Sequence, residues 1–426
     1  SVAQTDAASY SVEVSGADGT VASGIATLTV IDPPVITGQP ANRGNNAGTT
    51  AAFTVTVTGT VPFSYQWRKN GINLVNGGNV SGAATASLTL ASVLSADEGS
   101  YSVMVTNPAG FEVSSDAVLT VIDPVLNTQP SGRTNNAGTT ATFSVSAAGT
   151  ALAYQWKKNG VNLSNGGSVS GAATADLTLA NVTQGDAGSY SVDVTGGHGT
   201  LSSAVATLTV IDSPVITVPP ASRTNDAATA ATFAVTVTGT TPFNYQWRKN
   251  GLALTDGGNV TGATTALLTV SGVLNGDEGS YSLQVTNPAG TVVSSDAVLT
   301  VIDPVLNTQP GSRTNNAGTA ATFGVSAAGT ALTYQWKRNG VNLSDGGTIN
   351  GATTADLTVS SVAQSDAGNY TVEVSGADGT VASAVATLTV IDPPVITVPP
   401  VSRTHDATTV ASFAVTVTGP VPFSYQ

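Results

Sequence analysis

Apolar and polar residues alternate along this chain in short runs, and the runs recur. Phe53, Val55 and Val57 fall on one side of a two-residue period, as do Leu88 and Leu90, and Tyr101, Val103 and Val105. A period of two marks half-buried strands. Lys69-Asn70-Gly71 and Asn107-Pro108-Ala109-Gly110 lie between such runs and carry tight-turn chemistry. Several strands of this kind in each stretch of about 90 residues predict an all-β chain of β-sandwiches.

The pattern is a repeat. Trp67, Trp156, Trp247 and Trp336 are spaced by 89, 91 and 89 residues. A tyrosine four residues after an aspartate falls at 10, 101, 190, 281 and 370, with spacings of 91, 89, 91 and 89. Two unit types therefore alternate, a long one of 91 residues and a short one of 89, in a 180-residue period. Cutting at each Ile-Asp gives long domains at 33–123 and 213–303 and short domains at 124–212 and 304–392. Residues 1–32 correspond to the C-terminal part of a short domain, and 393–426 to the N-terminal part of a long one. The expectation is a window on a longer polymer; the other reading is that strands from neighbouring molecules complete the broken ends.

The motifs Tyr-Gln-Trp-Arg-Lys-Asn-Gly (65–71), Ser-Leu-Thr-Leu (87–90) and Asp-Glu-Gly-Ser-Tyr (97–101) resemble the immunoglobulin fold, closest to I-set-type domains. The resemblance implies that Trp67, Trp156, Trp247 and Trp336 fill the core and that Tyr101, Tyr190, Tyr281 and Tyr370 form the tyrosine corner. It also implies two cysteines under each tryptophan. This chain has none, and the matching positions hold Val55 and Val103, Val145 and Val192, Val235 and Leu283, and Val325 and Val372. A lost disulfide costs about 2–5 kcal/mol; burying two branched aliphatics offsets much of that. A cysteine-free tandem array resembles the immunoglobulin-like repeats of large bacterial surface and secreted proteins.

Between repeats the chain runs on with proline and no Gly/Ser spacer, which predicts stiff junctions and a semi-rigid rod, each domain adding roughly 40 Å. All thirteen basic residues occupy two kinds of site. Eight form pairs directly after the tryptophans, and Arg43, Arg133, Arg223, Arg313 and Arg403 follow the junction residues Asp32, Asp123, Asp212, Asp303 and Asp392 by ten or eleven positions. Two readings follow: solvated charge on strand ends and a sheet face, or a bond from each arginine to the junction carboxylate or an acidic neighbour that fixes the interdomain angle. The net charge of −13 makes nucleic acid and anionic membrane poor partners. No apolar run approaches the ~20 residues of a membrane-spanning helix.

Chemistry is sparse. His198 and His405 fall in different domains, with no nucleophile–base pattern around them. Asp97, Asp186, Asp277 and Asp366 precede the corner tyrosines and read as structural. One aspartate per junction gives a thin ligand set for calcium, the one metal the pattern suggests. The expected function is therefore non-enzymatic: an extracellular or cell-surface filament, stalk or sheath whose partner is itself, in further repeats or neighbouring chains. An adhesin or glycan-binding protein, or an accessory region of a larger secreted enzyme, are the alternatives.

Overall fold

The computed structural model describes residues 1–419 and 421–426. The chain divides into two compact units, Ser1–Asp212 and Ser213–Gln426. In the first, domain 33–123 shows the plan. Its strands are β1 (Val35–Gly38), β2 (Arg43–Asn46), β3 (Ala51–Thr54), β4 (Thr56–Thr58), β5 (Ser64–Lys69), β6 (Ile72–Asn73), β7 (Val80–Ser81), β8 (Ser87–Leu90), β9 (Gly99–Asn107), β10 (Gly110–Val113) and β11 (Ala117–Ile122). One sheet has the order β6-β5-β9-β11-β2, with β10 also paired to β9; a second has β7-β8-β3, and β1 pairs with β4. The β5–β6 hairpin turns through Asn70 and Gly71, both at positive φ, the left-handed conformation that Asn-Gly favours. Strand β2 runs parallel to β11, so the N-terminal segment crosses from the β4 edge to the opposite sheet. The same sheets recur in 124–212, 213–303 and 304–392.

Alternation places the core between the sheets. Trp67, Trp156, Trp247 and Trp336 are fully buried, as are Tyr101, Tyr190, Tyr281 and Tyr370. Each indole N–H donates to a threonine carbonyl at 2.9 Å, Trp67 to Thr85 for example. Each corner hydroxyl donates back to the aspartate carbonyl four residues upstream, Tyr101 to Asp97 at 2.6 Å. Phe53, Phe143, Phe233 and Phe323 stack on the corner tyrosines with ring centroids 4.6–4.9 Å apart. Both members of each aliphatic pair lie in their own domain's buried cluster. Burial pushes the phenols of Tyr190 and Tyr281 up to about 12.

The end segments hold fewer strands. In 1–32, Ala8–Tyr10 pairs with Ala26–Leu28 and Glu13–Gly16 with Gly19–Ala22. In 393–426, Val395–Val398 pairs with Thr416–Thr418.

Candidate functional site at the domain junctions

The polar groups closed off from solvent include two aspartates, Asp123 and Asp303, at 3% and 2% exposure. Each ends a long domain and begins a short one. The backbone N–H of Thr150 donates to both carboxylate oxygens of Asp123 (3.0 and 2.9 Å), and its hydroxyl donates to Oδ2 at 2.5 Å. The N–H of Gly197 donates to Oδ1 at 3.1 Å, and the N–H of Ser95, from the preceding domain, points at the same cluster and donates to Thr150 Oγ1 at 3.4 Å. Asp303 repeats this with Thr330, Ala377 and Asn275. One carboxylate thus holds groups of both domains at each long-to-short junction. Burial by itself pushes these carboxyls up, but the converging hydrogen bonds outweigh it and hold both below the ordinary carboxylate value.

Glycine makes the approach feasible. A Cβ on Gly149 or Gly196 would lie 2.4 or 2.5 Å from Asp123 Oδ1, and one on Gly329 or Gly376 would lie 2.3 or 2.6 Å from Asp303 Oδ1. Around the carboxylate, further bonds cross the junction. Ser95 and Thr150 hydroxyls lie 2.9 Å apart, and His198 Nε2 lies 3.1 Å from Glu98 Oε2. In the second unit Asn275 Nδ2 donates to Asp378 Oδ1 at 3.0 Å. The backbone N–H of His198 and of Asp378 donates to the carbonyl of the junction aspartate.

Asp32 sits differently. Its side chain is exposed and accepts from Gln4 Nε2 of the preceding segment at 2.9 Å. The long domain holds its backbone instead: Asp32 N–H donates to Thr60 Oγ1 (2.8 Å), and Asn107 Nδ2 donates to its carbonyl (2.7 Å). Asp212 Oδ2 likewise accepts from Gln184 at 3.0 Å. Asp392 is half-buried. The reason lies in spacing. Asp32 precedes Trp67 by 35 residues and Asp123 precedes Trp156 by 33, so the long type's two extra residues fall between aspartate and tryptophan. One of them is Pro33, beside Pro34, where Asp123 has Pro124 alone.

The arginine–aspartate bond expected at the junctions is corrected at Asp123 and Asp303, whose carboxylates are filled by Thr150 and Thr330 and their neighbours. Arg133 and Arg313 begin strands parallel to the last strand of their own domains, opposite Leu208 and Leu388. The segment before each has crossed to the other sheet, which carries the arginine away from the aspartate ten residues earlier. Arg43 and Arg313 donate through Nε to the carbonyls of Ala52 and Thr322, both at 2.9 Å. Arg223 starts the equivalent strand of 213–303, and Arg403 is exposed. Thr150, Thr330 and the paired glycines were not legible as site residues, because long domains carry Gly-Thr at the same place, in Gly59-Thr60 and Gly239-Thr240.

The remaining chemistry-bearing side chains have structural bonds. Asp97, Asp186, Asp277 and Asp366 each accept the N–H that opens a short 3₁₀ turn, at 2.8–3.0 Å. Lys69, Lys158 and Lys249 donate to carbonyls of those turns. Among the described residues, no three side chains from His, Cys, Asp and Glu are placed to hold a metal ion. At Asp123 and Asp303 the carboxylate oxygens already face N–H and O–H donors, an arrangement that competes with calcium.

The immunoglobulin I-set domain family matches residues 34–121, 124–210 and 214–301, and a second immunoglobulin domain family matches 303–375. The chain is 26% identical over 350 residues to mouse peroxidasin homolog, covering 79% of this chain and 24% of that protein. It is 26% identical over 361 residues to human hemicentin-1, covering 83% and 6%. The chain therefore spans a quarter or less of the length of these relatives. Both are animal proteins, and neither supports the bacterial kinship that the missing cysteines suggested. The solved structure of Sidekick-1 immunoglobulin domains 1–5 aligns at a TM-score of 0.44 and 22% identity, over 92% of this chain and 88% of that one. With three complete repeats matched end to end, this chain belongs to the immunoglobulin I-set domain family.

Proposed function

We propose that this chain is a non-catalytic structural region of a larger extracellular or cell-surface protein, built from long–short domain pairs that act as stiff spacers in a filament, stalk or sheath. The observation that carries this reading is the junction carboxylate. Asp123 and Asp303 are buried charges, and both are used to hold neighbouring domains together rather than aimed into a cleft. A buried, fully bonded charge fixes one geometry, because any other arrangement leaves it without partners. The other titratable groups described above serve turns, caps and sheet faces. Membership of the I-set family and the matches to parts of much longer proteins agree with a tandem spacer region. Among the described residues no helix is long and apolar enough to cross a membrane.

The test is protease treatment of intact source cells. Peptides from 33–392 released without lysis are the expected result. Peptides that appear only after lysis would place the region inside the cell and overturn the reading.

A further inference from the structure

One domain departs from its sisters on its outer sheet face, and it does so toward the residue types that build protein interfaces. In 33–123, Met104 lies opposite Val113 and Thr106 opposite Phe111, so all four side chains share the solvent face of the sheet. Phe111 is 69% exposed and Val113 42%. At the registers of Met104 and Phe111 the other domains hold Asp193 and Thr200, Gln284 and Thr291, and Glu373 and Thr380. Met104 is the chain's single methionine, and among the described residues of the four complete domains Phe111 is the one exposed large aromatic.

The charge on this face also differs from that of the short domains; in the other long domain Arg248 likewise donates to an uncharged partner, Gln284. In the short domains the cation after tryptophan meets an acid: Lys157 with Asp193 and Lys337 with Glu373, both at 2.5 Å. Arg68 has no such acid. Its Nε donates to Asn73 Oδ1 at 3.0 Å, and its Nη2 lies 3.3 Å from Met104 Sδ. A guanidinium without a carboxylate therefore touches the Met104 thioether, on the sheet face that also carries Val113 opposite Met104 and Phe111 two residues along. Aromatic residues, methionine and arginine are the side chains enriched at the centre of protein interfaces. In a chain of net charge −13, a cation left without an acid beside an apolar patch complements a carboxylate carried next to an apolar side chain.

We infer that the face formed by Arg68, Met104, Phe111 and Val113 docks a partner protein through a segment in which Asp or Glu adjoins an apolar residue. The inference is independent of the spacer reading: either can fail while the other stands. The substitutions that test it occur naturally in the sister domain, Met104→Gln and Phe111→Thr, so the fold tolerates them.

The probe is a displayed library of random linear peptides, selected on the full chain. Peptides that pair Asp or Glu with a neighbouring apolar residue are expected to be enriched. They are expected to lose about tenfold or more in affinity on the Met104→Gln/Phe111→Thr chain and on an Arg68→Gln chain. Three results overturn the proposal: no enrichment, enriched peptides lacking a carboxylate, or equal binding to all three chains. Sedimentation of the unmodified chain supplies a fourth. Concentration-dependent dimerisation abolished by Phe111→Thr would assign the face to a second copy instead.

Discussion

Asp123 shows how one side chain can govern a junction. Replacing it with alanine leaves the N–H of Thr150 and of Gly197 facing a cavity, and the expected cost is roughly 1–3 kcal/mol. Amide hydrogen exchange in the full chain should show lost protection at Thr150 and Gly197, with Trp156 and its strand unaffected. The pH dependence has a definite sign. A carboxyl near 3.9 when unfolded and lower when folded contributes fully above about pH 4, and its contribution is lost as pH falls through the folded value. Melting midpoints of the native chain and an Asp123→Ala/Asp303→Ala chain should therefore differ by a constant amount from pH 5 to 8 and converge below pH 4. A gap that widens as pH falls would contradict the bonding. At the tyrosine corner, Tyr101→Phe keeps the stack on Phe53 but removes the 2.6 Å bond to Asp97. It should lower the stability of 33–123 by about 1 kcal/mol, read from that domain's unfolding transition.

The strands were legible because period-two alternation and burial are one signal: the expected inward residues Phe53, Val55, Val103 and Val105 are all buried. Turns were legible for an equally local reason, since Asn-Gly at 70–71 sets the left-handed geometry by itself. The stacking of Phe53 on Tyr101 was not legible, because it joins residues from facing sheets, 48 positions apart. The junction chemistry was half legible. The alternation of 91 and 89 residues marks where the types differ, but a Gly-Thr present in both types gives no hint of which threonine reaches a carboxylate. The arginines misled for the same reason: proximity in sequence hides a strand that changes sheets. Phe111 stood in the hairpin that looked interchangeable, and only its place opposite Thr106, on the same sheet face as Met104, sets it apart. The aliphatic pairs offer a test of strand placement. Val55→Cys with Val103→Cys should form a disulfide on oxidation and stabilise 33–123 by on the order of 2–4 kcal/mol. Failure of the folded chain to cross-link would show that the two strands do not face each other as described.

Across the molecule, a buried carboxylate joins each long domain to the short domain after it, and each such pair should behave as one body. A chain without cysteine makes this directly measurable, since two introduced thiols are the only labelling sites. Val75→Cys and Val161→Cys, at positions 78% and 71% exposed in domains 33–123 and 124–212, would carry spin labels in the full chain. Pulsed electron–electron resonance then reads the distribution of distances across the Asp123 junction. The account predicts one narrow distribution that broadens on Asp123→Ala; a broad distribution in the native sequence, or one equally narrow after the substitution, would contradict it.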